Sequence, residues 1–315
     1  MMKLATCLLN ISEARNKEVI RHILHQTKTT IEQECPVGAT ILNTFCDTDY
    51  NRSVISISGQ LPQLEQAVTS AVTAALHTID LRHHEGGHPR LGAVDLIPLH
   101  PISEDTTLAD CDTLADNIAH NITNNVPESS FFKFSGDPGQ GLIERRRSSG
   151  WFQSKIAPDF LPDLGVYNDR LGVTGLGASP YMSNYNISLE TRDMKVARQV
   201  VEVIREKSGG LPGVSAMAFH HQDNIEIACN VDMFILKENN SMHMKHLKMN
   251  NVERVMGELW RTRFSVIGDQ VETQASRSGT SVTGDSVIIG FTPEQSRSLT
   301  LQALASNISC SASLK

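Results

Sequence analysis

Three histidines, one glutamate and two arginines fall within the nine positions Arg82-His83-His84-Glu85-Gly86-Gly87-His88-Pro89-Arg90. Histidine is the side chain whose ordinary pKa lies near neutrality, so such a run suits proton transfer. His84-Glu85-Gly86-Gly87-His88 also spells the HExxH pattern of zinc proteases. That pattern works because one helix face carries both imidazoles and sets the glutamate beside the metal-bound water. Here the middle residues are glycines and Pro89 follows, which makes a poor helix. No third metal ligand follows at a familiar spacing, and no metal is expected. The segment reads as a glycine-flexed loop that presents one imidazole, His88, to a substrate. Pro89 stiffens the chain behind it and Arg90 adds a fixed positive charge. His83 and His84 read as surface residues. A His-rich surface loop without a role is the plain alternative.

Other polar groupings invite a chemical reading. Cys46-Asp47-Thr48-Asp49-Tyr50-Asn51-Arg52 sits between two strand patterns and reads as a hairpin turn, or as a wall of carboxylate, amide and guanidinium around a polar ligand. Asn10-Ile11-Ser12-Glu13 closes the first strand pattern. Asn184-Tyr185-Asn186 interrupts a later strand with amides, for which edge-strand exposure is the simple explanation. Arg145-Arg146-Arg147 reads as a solvated helix face, with an anionic substrate site as the minority reading.

The elements that must position these residues follow from periodicity. Residues 4–11 form a short buried strand, and Ser12 reads as the cap of a helix over 15–33 that ends at Pro36 and Gly38. Strands follow over 39–45 and 54–59, the second with clear alternation. Leu64, Ala67, Val68, Ala71, Val72, Ala75 and Leu76 fall at helical spacing, and Ala93–Leu99 give a fourth strand ended by Pro98. This β-α-β-β-α-β order is that of a ferredoxin-like unit. A helix over 105–125 and a strand over 130–134 follow. A stretch rich in Gly, Pro and Asp, 156–177, reads as the link to a second unit. There a strand over 179–187, a helix over 192–207, a hairpin of 214–220 and 224–231 turning at Gln222-Asp223, a helix over 244–260 and a strand over 264–267 repeat the order. Residues 270–285, rich in Ser, Thr and Gly, read as a flexible loop. The expectation is an α+β protein of two tandem ferredoxin-like subdomains, 1–178 and 179–315, and ligand sites often form between such units.

Composition excludes several classes. With 315 residues, 40% apolar and 20% charged, the chain can bury a real core. A net charge of −7, scattered cations and 5% aromatics argue against a nucleic-acid surface. No apolar run reaches the ~20 residues of a membrane span, and the N-terminal run is too short for a signal peptide. Three Asn-x-Ser matches therefore read as chance, and the six cysteines, none in a CxxC pair, read as free thiols in the cytoplasm.

Three of these stretches, in order, resemble the formiminotransferase family. Its members carry Asn-x-Ser-Glu-Gly, then Asp-x-Asp-His-Asn-Arg-Ser-Val, then His-Pro-Arg-hydrophobic-Gly-Ala-hydrophobic-Asp. The counterparts are Asn10-Ile11-Ser12-Glu13-Ala14, Asp47-Thr48-Asp49-Tyr50-Asn51-Arg52-Ser53-Val54 and His88-Pro89-Arg90-Leu91-Gly92-Ala93-Val94-Asp95. Ala157-Pro158-Asp159-Phe160, Gly172-Val173-Thr174 and Asn184-Tyr185-Asn186-Ile187 are also similar, and the likeness covers residues 1–235. Ala14 stands where the family has Gly, Tyr50 where it has His, and Phe45 where some members have an acid. The folate stretch differs in detail.

The resemblance implies two α/β subdomains with a ligand tunnel between them, without a cyclodeaminase domain. It implies transfer of a formimino group from formiminoglutamate to tetrahydrofolate, needing no metal, in a cytoplasmic enzyme that forms a homodimer. It gives His88 the catalytic role, as base and then acid. Asn10, Asp49, Asn51, Arg52, Arg90 and Asn186 become candidate substrate-binding residues. Leu161, Pro162, Asp163, Leu164, Gly165 and Gly172 become candidate folate-binding residues. Asp49 could orient the imidazole, and Arg52 or Arg90 could hold a substrate carboxylate. A folate-binding relative with another donor, or with no activity, is the second reading. A ligand-free scaffold is the third, against which the joint presence of Asn10, Asn51, Arg52, His88 and Arg90 argues.

Overall fold

Strand β1 (Leu4–Ile11) is buried along most of its length because it runs between two neighbours, β3 (Arg52–Gln60) and β4 (Val94–Pro101), antiparallel to both. The computed structural model describes residues 2–34, 38–135, 139–232 and 249–310. Pro36, expected to end the first helix, lies outside them. The chain divides into two compact units, residues 1–179 together with 296–315, and residues 180–295.

In the first unit the order is β1, α1 (Lys17–Glu34), β2 (Ala39–Asp47), β3, α2 (Leu61–Thr78), β4, α3 (Leu108–Asn125), β5 (Phe131–Phe134), α4 (Leu142–Ser149) and β6 (Thr174–Ala178). The sheet runs β2-β3-β1-β4-β6-β5, with β6 parallel to both β4 and β5. Its first four strands and two helices have an arrangement compatible with a ferredoxin-like subdomain. One face of the sheet is covered by the apolar stripes of the first three helices. Ile20, Ile23 and Ile31 of α1, Leu64, Val68 and Val72 of α2, and Leu114, Ile118 and Ile122 of α3 meet Leu9, Ile11, Ile55 and Ile57 of the strands. Each such side chain, fully buried, contributes roughly 1.5–3 kcal/mol. The other face carries a smaller cluster of Leu96, Phe132, Phe134, Trp151 and Val173 under α4 and the segment after it.

Several boundaries differ from expectation. Asn16, not Ser12, caps α1, its Oδ1 accepting from the Glu18 and Val19 amides. Ser12 instead donates to the Gly92 carbonyl. Strand β4 continues through Pro98. Its pairing with β1 covers Leu99–Pro101 and resumes at Leu96, so the residue without an N–H falls in the gap. The linker read over 156–177 contains the start of β6. Its Thr-Gly-Leu-Gly-Ala sequence is a weak strand former. Tertiary fit decides it: a Cβ at Gly175 would strike the Phe132 ring, and one at Gly177 the Phe134 carbonyl.

The second unit holds β7 (Met182–Leu189), α5 (Met194–Ile204), β8 (Val214–His221), β9 (Asn224–Asp232), α6 (Met249–Arg277) and β10 (Val282–Ile289). Its antiparallel sheet runs β10-β7-β9-β8, again compatible with a ferredoxin-like subdomain. Helix α6 overrides the strand expected at 264–267. Phe264, Ile267, Val271 and Ala275 fall at helical spacing and are all buried. The flexible loop expected over 270–285 is likewise the end of α6 followed by the start of β10. The part of the expected helix at 244–248 lies outside the described residues. Strand β7 is central, so edge exposure does not explain Asn184 and Asn186. They alternate with buried Tyr185 and Ile187 and sit half-buried on the sheet face away from the core. Helix α7 (Pro293–Ala305) leads the chain back to the first unit.

Candidate active site

Asn10 and Arg52 lie on neighbouring strands with their side chains on the sheet face opposite the helices, because Asn10 pairs with Val54, two residues beyond Arg52. Arg52 Nη2 donates to Asn10 Oδ1 at 2.8 Å, and Nη1 donates to Asp95 Oδ2 at 2.9 Å. The Asp95 side chain has no solvent exposure. It also accepts from the Leu91 amide at 2.9 Å and from Trp151 Nε1 at 3.0 and 3.1 Å. Burial works against its charge. The positive charges of Arg52 and Arg146, with these hydrogen bonds, outweigh burial and hold the carboxyl below its ordinary pKa.

His88 stands beside this cluster. Its ring meets Tyr50 edge-to-face at 5.4 Å and Trp151 at 5.5 Å. Nδ1 lies 2.8 Å from the Pro89 carbonyl, an obligate acceptor, so Nδ1 carries the proton and the acceptor lone pair is on Nε2. Arg52 Nη1, 3.3 Å from Nδ1, then faces it donor to donor. Burial, and after it the Arg52 charge, push the His88 pKa down to about 3, so the ring is neutral at neutral pH.

The loop that carries His88 is held by polar contacts in place of an apolar core. Asn51 sits in the left-handed region at φ 49°, which asparagine tolerates. Its Oδ1 accepts from the Ala14 amide at 2.9 Å and the Arg15 amide at 3.3 Å, and its Nδ2 donates to the Glu85 carbonyl at 3.1 Å. One side chain thus joins the end of β1, the β2–β3 hairpin and the histidine loop. Gly86 passes so close to the Tyr50 carbonyl that a Cβ would collide with it. Gly86 therefore serves close approach, and residues 84–92 form no helix. His83 is exposed as expected. His84 is not: it is half-buried and its Nε2 donates to the Asn51 carbonyl at 2.9 Å, because the loop folds back on the hairpin.

Arg90 Nη2 donates to the His84 carbonyl at 2.8 Å. Asp49 meets the loop through its carbonyl, which accepts from the Gly87 amide at 3.4 Å. Asn10, Arg52 and His88 are thus one connected cluster, while Asn51 and Arg90 brace its loop. Asn186 belongs to the second unit, on β7 opposite Ala228 and Val287. The stretch 161–165 runs along β5. The Asp163 amide donates to the Phe131 carbonyl, and Asp163 accepts from the Lys133 amide at 2.6 Å and pairs with Arg145. Leu161 and Val166 are 82% and 79% exposed. Gly172, at φ 69°, bridges to Gly92 with the Leu91 carbonyl where a Cβ would lie.

The sequence reading assigned no role to Asp95 or Trp151, and gave Arg146 an anionic site only as the minority reading of the triplet. Asp95 closes the His-Pro-Arg stretch, and its position was the available signal. The basic triplet departs from the expected solvated face. Arg147 is exposed, but Arg145 packs over Phe132 and Phe160, and Arg146 lies over Trp151 with its Cζ 4.0 Å from the ring centroid. Helix α4 covers the aromatic cluster, and these stems bury their apolar length against it. Among the described residues no helix is long and apolar enough to cross a membrane, and no three His, Cys, Asp or Glu converge as a metal site would require.

Sequence comparison supplies the class. The family model of the formiminotransferase domain, N-terminal subdomain, matches residues 4–179. A formiminotransferase cyclodeaminase-like protein of Arabidopsis thaliana is 32% identical over 250 residues, 72% of this chain and 82% of the relative. A glutamate formimidoyltransferase of Streptococcus pyogenes serotype M1 is 27% identical over 300 residues, 93% of this chain and 90% of the relative. The formimidoyltransferase-cyclodeaminase of Sus scrofa is 27% identical over 220 residues, which are 39% of that longer protein. The family model and these relatives define a transferase. The chain belongs to the formiminotransferase family.

Proposed function

We propose that this protein transfers a formimino group from formiminoglutamate to tetrahydrofolate, with His88 as general base and then general acid. The observation that carries the reading is the 2.8 Å approach of His88 Nδ1 to the Pro89 carbonyl, which assigns the proton to Nδ1 and leaves Nε2 as the basic nitrogen. When the folate amine bonds to the amidine carbon, Nε2 takes the amine proton. When the bond from that carbon to the glutamate nitrogen breaks, Nε2 returns a proton to that nitrogen. The two proton movements balance, so one imidazole serves both.

A pKa of about 3 keeps the ring neutral and ready to accept. It also makes the imidazolium costly beside Arg52. An anionic substrate would offset that charge and raise the proton affinity of the ring when the reaction needs it. On this reading Asn10, Asp49, Asn51, Arg52 and Arg90 belong to the substrate site, and Asn186 is a further substrate-binding candidate on the second unit. The stretch from Leu161 to Gly165, with Gly172, takes the folate, and exposed Leu161 and Val166 offer apolar surface for a flat ring. Cytoplasmic location and a homodimer complete the reading, both from the family resemblance.

His88→Ala and His88→Gln test it. Turnover should fall by about 10²–10⁴-fold, the usual contribution of a general acid–base residue, while calorimetric titration still registers tetrahydrofolate binding. Undiminished turnover would remove His88 from the mechanism. A folate-binding relative with another donor is the second reading, favoured by Tyr50, which replaces the family's histidine and packs directly on His88. Tetrahydrofolate binding without turnover of formiminoglutamate would select it.

A further inference from the structure

We infer that Arg146 holds a carboxylate of the formimino donor beside His88, an inference that rests on the function proposed above. Three guanidiniums surround the site and two are already engaged. Arg52 commits both terminal nitrogens to Asp95 and Asn10. Arg90 donates through Nη2 to the His84 carbonyl, although its Nε, like that of Arg146, meets no acceptor among the described residues. Arg146 differs. Its nearest carboxylate oxygen, Asp95 Oδ2, is 3.9 Å away, beyond hydrogen-bond range, and that oxygen already accepts from Arg52 and Trp151. Its Nε is buried and has no partner among the described residues.

The side chain is only 14% exposed. Burial pulls its pKa down to about 10, so it remains a cation at neutral pH. Arg52 and Arg146 thus face a single buried carboxylate, and one positive charge is left over. A mostly buried guanidinium whose N–H groups meet no acceptor is costly unless an anion arrives. Packing on Trp151 restrains the guanidinium, whose planar fork can grip a carboxylate with two parallel bonds.

The same indole places the anion. The Trp151 ring carries the Arg146 cation on its face and His88 at 5.5 Å. Arg146 and His88 thus share one neighbour, and a carboxylate on Arg146 is brought to the same side of the site as His88. In formiminoglutamate the α-carboxylate is two bonds from the nitrogen that leaves. In folate the glutamate carboxylates lie beyond the benzoyl ring from the accepting nitrogen, too far for this placement. The donor's α-carboxylate fits.

Steady-state kinetics of Arg146→Met and Arg146→Lys, both checked for wild-type circular dichroism, test the inference. Arg146→Met should raise the donor KM on the order of 10- to 100-fold, the factor that loss of a charge-assisted pair gives, with the KM for tetrahydrofolate unchanged. Arg146→Lys, which keeps the charge but not the fork, should fall between. With 4-(formimidoylamino)butyrate, which lacks the α-carboxylate, wild type and Arg146→Met should perform alike. An unchanged donor KM, a rise confined to the folate KM, or an equal rise in both would overturn the assignment. Calorimetry with L-glutamate separates the two proposals. Glutamate binding lost in Arg146→Met, in a wild-type protein that does not turn over formiminoglutamate, sinks the reaction and keeps the anion site. Turnover with glutamate binding indifferent to Arg146 does the reverse.

Discussion

Replacing Asp95 by asparagine removes the one buried negative charge between Arg52 and Arg146 while keeping the shape of the side chain. The new amide can still accept from the Leu91 amide or from Trp151 through its one oxygen, so the loss is mainly of charge. Breaking a fully buried pair by deleting one partner costs about 3–5 kcal/mol, because the remaining cation stays desolvated. For a folded unit of this size each kcal/mol lowers Tm by about 2–4 °C, so the variant should melt roughly 6–20 °C lower. Trp151→Phe, which keeps the charges and deletes only the shared N–H, should cost less, on the order of 1–3 kcal/mol. The sign with pH is fixed as well. The Asp95 pKa is lowered in the fold, so its contribution is complete above the ordinary carboxyl pKa near 4 and is lost as pH falls through the folded value. Urea unfolding at pH 7 and at pH 3.5, followed by far-ultraviolet circular dichroism, measures this. If Asp95→Asn lies within about 1 kcal/mol of wild type at pH 7, the carboxylate is not the counter-ion that holds the two guanidiniums.

Two further outcomes are expected. His88, depressed to about 3, should show no imidazole titration between pH 5 and 8 by proton–nitrogen NMR. Because its folded pKa lies below the ordinary 6.5, stability should be complete above pH 6.5 and fall as the pH drops toward the folded value, a slope that His88→Gln flattens; a ring titrating near 6.5 contradicts the geometry. Gly172→Ala places a Cβ at φ 69° against the Leu91 carbonyl and should cost more than about 2 kcal/mol in urea unfolding. Gly209→Ala, at φ 86° with open space around it, should cost less; equal losses would show that strain alone, and not the Gly92–Gly172 approach, matters.

Much of the first unit was legible because its pattern is local. The run of residues 4–11, the alternation of 54–58 and the 3.6-residue stripe from Leu64 to Leu76 each specify one element and one buried face. What was misread depends on partners distant in sequence. Strand β6 is glycine-rich and exists because Phe132 and Phe134 press on it from β5. Phe264-Ser265-Val266-Ile267 has strand composition, yet its buried residues belong to a stripe that continues through Val271 to Ala275. The same holds at the site. The polar stretches holding Asn10, Arg52 and His88 stood out in the sequence, and the resemblance singled out these residues as candidates. Asp95 and Trp151 were not legible, because only the fold brings positions 95, 146 and 151 together; the arginine triplet was read as an anionic site only in the minority, because three consecutive arginines look alike until a tryptophan is placed under one of them.

Helix α7 and the residues after it have a consequence for how the molecule is made. The Ile41 amide on edge strand β2 donates to the Ser309 carbonyl at 3.0 Å, Ile41 bridges to Cys310, and buried Thr300 donates to Ser58 at 2.7 Å. During synthesis on the ribosome these partners emerge only after all of residues 180–295. The nascent first unit must therefore wait with the outer edge of its sheet uncapped and the Ser58 hydroxyl short of one partner while the second unit is translated. That interval is when the β2 edge at Ile41 is open to another chain.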